Sequence, residues 1–195
     1  MATICDARLL QPNHARDILR VMKRTFNSLT EQEALHAAVF VEERNAEIYH
    51  RFAEMFVEFR DDESLAIASV FWDMAAEERH HSTLLQHRYE ELFGTQPCTL
   101  TDDDIYEFVE IPRLEDADVF STATAQDHRS PKERALQVGL TAELGARKFY
   151  ADLLENSKDP KQKRLFNELA EFEGEHVAFL ERKLADASRQ GTGSS

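Results

Sequence analysis

The stretch Glu173-Gly174-Glu175-His176 decides how this chain is read. Glu173 and His176 are three residues apart, so a helix puts them on one face, a turn from each other. Apolar residues at helical spacing surround them: Phe166, Leu169, Ala170, Phe179 and Leu180. A carboxylate and an imidazole therefore fall inside a stripe that should be buried. A buried carboxylate needs a hydrogen bond, a counter-charge or a metal.

The same pattern occurs a second time. Phe166, Leu169, Ala170, Glu173, His176 and Leu180 repeat the offsets of Phe71, Met74, Ala75, Glu78, His81 and Leu85. Two single glutamates repeat as well. Glu42 precedes Tyr49 by seven residues and Glu143 precedes Tyr150 by seven, each inside an apolar stripe. Glu-x-x-His by itself carries little weight in a chain with 37 acids and eight histidines. Glu33/His36 and Glu47/His50 also fit it and read as solvent-facing pairs. Glu77/His80 is the alternative register, one residue out of step. Glu78/His81 is preferred because its apolar neighbours match those of Glu173/His176 at each offset.

Helix signals divide the chain around these residues. Thr30 and Glu33 form a capping box ahead of a helix predicted over 31–60. Asp61-Asp62 interrupts it and caps a second helix over 63–93, which stops at Gly94. Thr101 and Asp104 suggest a short helix reaching Phe108, and the remainder of 94–130 reads as a surface crossover. Ser130-Pro131-Lys132-Glu133 combines an N-cap Ser, Pro at the first helical position and Glu two residues on. It opens a helix over 131–156. Asp159-Pro160 opens the last one, expected to end near Ser188. Nothing alternates with period two, so strands are not expected. Residues 1–28, with an amphipathic piece over 17–26, read as an appended helix. Residues 29–189 read as one all-α four-helix bundle of two helical hairpins joined by a long crossover, and 190–195 as a flexible tail. A crossover this long lets the second and third long helices run parallel.

Composition narrows the function. The 195 residues are 42% hydrophobic and carry a formal net charge of −14, which argues against nucleic acid or an anionic membrane surface as partner. No run nears the roughly 18 apolar residues that span a bilayer, and 1–25 are too polar for a signal peptide. Cys5 and Cys98 are the only cysteines. They form no CxxC, so no zinc-ribbon or rubredoxin-type site is encoded, and they fit a cytoplasmic location. Trp72 reads as a packing residue.

At these residues the chain resembles the ferritin-like di-iron carboxylate proteins. The branch it looks most like is the rubrerythrins, together with the erythrin-type domain of membrane-bound bacterial ferritins. The resemblance lies in residues 26–53, 74–94 and 143–180. It implies a di-iron centre with Glu42 and Glu143 as terminal ligands, Glu78 and Glu173 as bridges, and His81 and His176 on one iron each. It also implies that Tyr49 and Tyr150 hydrogen-bond the carboxylates; by pattern alone they are equally ordinary core tyrosines. Oxygen and imidazole ligands suit iron, with manganese or zinc as substitutes, and four carboxylates balance two divalent cations. The implied activity is an oxidoreductase that oxidises Fe(II) with O2 or hydrogen peroxide, serving iron homeostasis or peroxide detoxification. Its electron donor is unidentified and its expected assembly is a homodimer. The alternatives are an iron-binding or sensing module with little turnover, and a metal-free helical scaffold. Rubrerythrins carry a further Glu three residues after the third-helix ligand. Here that position is Ala146, and its first-helix counterpart is Asn45.

Overall fold

The computed structural model describes residues 29–113 and 129–191. Its elements are α1 (Glu31–Phe59), α2 (Asp62–Phe93), the short α3 (Asp102–Ile105), α4 (Pro131–Asn156) and α5 (Pro160–Gly191). The described residues contain no strand, and the fold is an all-α ferritin-like bundle. The expected appendage at 1–28 lies outside the described residues.

The caps explain the boundaries. The Thr30 hydroxyl accepts from the Glu33 amide while the Glu33 carboxylate accepts from the Thr30 amide. This satisfies two donors that a helix start leaves open. Asp61 caps α2 through the Ser64 amide at 2.9 Å, so α2 starts one residue before the predicted position. Arg60 and Gly94 turn the chain out of α1 and α2 at positive φ, 60° and 62°. Ser130 and Glu133 form a second capping box ahead of Pro131. Asp159 caps α5 through the Lys161 amide at 2.9 Å. That helix continues to Gly191, past its expected end at Ser188.

α1 pairs with α2 and α4 with α5. Within the first hairpin, His81 faces Glu42 and the Phe71 ring lies against Phe52, so α2 runs antiparallel to α1. Between hairpins Tyr49 bonds Glu143 and Tyr150 bonds Glu42, which makes α4 antiparallel to α1 as well. Hence α2 and α4 are parallel, the arrangement that the long crossover permits.

The apolar core comes in two parts. One holds Leu35, Val41, Leu85, Phe149, Tyr150 and Phe166; the other holds Ile48, Tyr49, Phe56, Phe71, Leu136 and Leu180. Between them on every long helix sits one fully buried glutamate: Glu42, Glu78, Glu143 and Glu173.

The crossover is not merely a surface strap. Leu100, Ile105, Val109 and Ile111 are buried against α1 and α4. These four are spread among acids, so no apolar run announces them. Trp72, read as a packing residue, and Leu92, expected at the end of the α2 stripe, are exposed instead, Trp72 by 45%.

Gly145 shows how closely the crossover sits. A Cβ there would collide with the Glu110 carbonyl oxygen, a backbone atom that cannot turn aside. Gly145→Ala is expected to destabilise the fold by about 1–3 kcal/mol, as overpacking does. A lower melting temperature checks this; an unchanged one would place the crossover elsewhere.

Candidate metal centre

Helix periodicity delivers the side chains. Glu78 and His81 share one face of α2, and Glu173 and His176 share one face of α5. The α1 and α4 faces opposite carry Glu42 and Glu143. All four carboxylates are fully buried, whereas His81 and His176 retain 6% and 9% exposure. Solvent therefore comes nearest at the imidazoles.

The structure brings all six side chains together. Ligand atoms of Glu78, Glu143, Glu173 and His176 lie within 4.8 Å of one another, and so do those of Glu42, Glu78 and His81. His81 Nδ1 is 3.3 Å from Glu42 Oε2 and 3.6 Å from Glu78 Oε2. His176 Nδ1 is 3.1 Å from Glu78 Oε1, 3.4 Å from Glu143 Oε1 and 3.7 Å from Glu173 Oε2. Tyr49 donates to Glu143 and Tyr150 to Glu42, tying each terminal carboxylate to the opposite hairpin. The tyrosines thus perform the bonding that the resemblance implies.

The orphaned atoms test whether a metal fits. Glu42 Oε2, Glu143 Oε2, both carboxylate oxygens of Glu78 and of Glu173, and Nδ1 of both histidines have no hydrogen-bond partner among the described residues. Left unsatisfied, each would cost on the order of 1–3 kcal/mol or more. They converge from four helices, and oxygen with imidazole is the donor set of Fe, Mn or Zn. The residues fit a pair of divalent cations.

Charge states agree. Burial, then Glu78, pushes the Glu42 carboxyl well above the usual range. Burial, then Glu143 and Glu78, does the same to Glu173. Burial would raise Glu78 too, but Glu42, His176 and His81 hold it down at about 2. Burial opposes protonation of His81, yet Glu42 and Glu78 lift it to about 10. Burial is likewise outweighed at His176 by Glu143, Glu173 and Glu78, which raise it strongly. Burial, then Glu143 and Glu42 respectively, raise the Tyr49 and Tyr150 hydroxyls, so both stay protonated as donors.

The alternative register is not part of the cluster. Glu77 and His80 are exposed on α2. Glu77 nevertheless reaches His176, its Oε2 lying 2.8 Å from Nε2. Sequence reasoning had no access to that contact, because it depends on α5 lying against α2. The other Glu-x-x-His pairs serve locally: Glu33 completes a cap, and Glu47 bonds Arg51 at 2.8 Å. One residue given no role by its pattern stands out. Asn45, a turn beyond Glu42, is fully buried, and neither amide atom has a partner among the described residues.

Residues 33–119 match the family model for rubrerythrin. That span includes Glu42, Glu78 and His81 but stops short of α4 and α5. A crystal structure of an uncharacterized conserved protein from Magnetospirillum magnetotacticum MS-1 superposes with a TM-score of 0.62. It is 26% identical and covers 82% of this chain and 96% of its own. No curated protein matches the chain. Among the described residues no helix is long and apolar enough to cross a membrane.

Two predictions follow from the charges. Glu42, Glu173, His81 and His176 have folded values above their ordinary ones of 4.5 and 6.5. Their contribution to stability is complete below those values and is lost as pH rises through the folded ones. Glu78 has the opposite sign: its contribution is complete above 4.5 and is lost only in acid, as pH falls towards about 2. The metal-free melting temperature should therefore fall as pH rises from 6.5 to about 9, and loading a divalent cation at pH 7 should release protons. Calorimetry in buffers of different ionisation enthalpy measures that release; none would contradict the assignment. Separately, Glu173→Gln should raise the metal-free melting temperature by a few degrees, roughly what 1 kcal/mol produces at this size, while abolishing stabilisation by metal.

Proposed function

We propose that the chain is a member of the rubrerythrin-like branch of the ferritin-like proteins, and that its six-residue cluster holds two irons and oxidises Fe(II) with O2 or hydrogen peroxide. The observation that carries this reading is the convergence of four buried carboxylates, six of whose eight oxygens lack a hydrogen-bond partner among the described residues, with two imidazole Nδ1 atoms. When bound, the irons supply one electron each to the oxidant.

The chain's own residues do the rest. Glu78 is shared by the two ligand groups, so it would be the bridge between two bound ions. Glu173 occupies the equivalent position on α5 and would bridge from the other side. Glu42 and Glu143 each keep one oxygen bonded to a tyrosine, which leaves the other to turn inward. The apolar layers above and below exclude water and strengthen the cations' attraction to the carboxylates. Oxidant and Fe(II) approach at the imidazole side, where the cluster is nearest solvent. A net charge of −14 favours the approach of cations.

Aerobic addition of Fe(II) to metal-free protein tests the proposal. The expected result is growth of oxo-bridged ferric absorbance with about two irons oxidised per chain. Glu173→Ala should lose more than the roughly 100-fold that changes to outlying partners of a ligand cost. Tight binding of iron without oxidation would favour a binding or sensing module. Absence of ferric absorbance, with Glu173→Ala unchanged, would overturn the oxidoreductase.

A further inference from the structure

The repeat that equates Glu78 with Glu173 also equates the residues just before them, Glu77 on α2 and Phe172 on α5. Each reaches the histidine of the opposite hairpin. Glu77 Oε2 lies 2.8 Å from His176 Nε2. The Phe172 ring lies against His81, centroids 5.2 Å apart with the planes at 35°. The same place in the fold thus presents a carboxylate to one imidazole and a hydrocarbon ring to the other.

We propose that this exchange makes the two metal positions unequal, with Glu77 a positioning residue that makes the His176 half bind first and most tightly. The inference rests on the metal-centre reading above and deepens it.

His176 meets the carboxylates through Nδ1. To offer a lone pair there, it must carry its proton on Nε2. A carboxylate 2.8 Å from Nε2 accepts that proton's hydrogen bond. This fixes the tautomer and the ring plane and raises the basicity of the ligating nitrogen. Phe172 has no acceptor, so it can flank the His81 ring but cannot choose its tautomer. A position that fills second empties first, so the His81 half is where a substrate cation exchanges. Glu77 and Phe172 are both substantially exposed, 61% and 48%, so either can be replaced without opening the core.

Titration of metal-free protein with Co(II), followed by calorimetry and by visible absorbance, tests this. The wild type should bind two ions in separate steps. Glu77→Ala should weaken the first step roughly 10- to 100-fold and alter the absorbance of the first-bound ion, while leaving the second step in place. Phe172→Glu, which gives His81 the missing acceptor, should strengthen the second step. The melting temperatures of the metal-free variants should match that of the wild type. Two ions bound in indistinguishable steps, or a first step that Glu77→Ala leaves unmoved, would overturn the inference while leaving the metal centre intact. No Co(II) bound by the wild type would remove the metal centre and the inference together.

Discussion

Four carboxylates share one dry layer between four helices, and every other feature of the structure has to accommodate that. Glu42, Glu78, Glu143 and Glu173 have no exposed surface. Placed this close they repel one another, and burial adds to the cost of their charge. In the protein alone the strain is met by protons: Glu42 and Glu173 are raised, and both histidines are held protonated against Glu78. Protons are an incomplete answer, since most inward-facing oxygens still lack a hydrogen-bond partner among the described residues. Two divalent cations would neutralise the charge and occupy the same lone pairs.

The bundle is arranged to keep that layer in place. It divides the apolar core into two clusters, and each contributes one tyrosine that reaches across to the other hairpin. Two weakly packed hairpins are thereby locked at the level of the glutamates. The near-symmetry of the halves makes their differences informative. Asn45 faces Ala146 in the repeat, and Glu77 faces Phe172. Both differences place polarity on the first hairpin and hydrocarbon on the second, right beside the ligands.

Much of this was legible in advance because helices obey local rules. Thr30/Glu33, Asp61 and Ser130-Pro131 state where helices start, and their hydroxyl or carboxylate contacts are present in the fold. The four glutamates could be found because a charge inside an apolar stripe breaks the period. The choice between Glu77/His80 and Glu78/His81 could be made from flanking residues for the same reason. What could not be read depends on neighbours distant in sequence. Glu77 looks like a solvated acid on its own helix, and only α5 gives it a partner. Leu100, Ile105, Val109 and Ile111 lie in an acidic segment without periodicity, yet they fill a gap beside α1 and α4. Trp72 reads as a packing residue from its type alone, yet it is 45% exposed on α2.

Anomalous scattering at the iron edge from crystals soaked in Fe(II) tests the central claim most directly. The account predicts two peaks inside the bundle, about 3.5–4 Å apart, with Glu78 and Glu173 between them and one histidine Nδ1 against each. No peak in that layer, or iron only on the outer acidic surface, would contradict it.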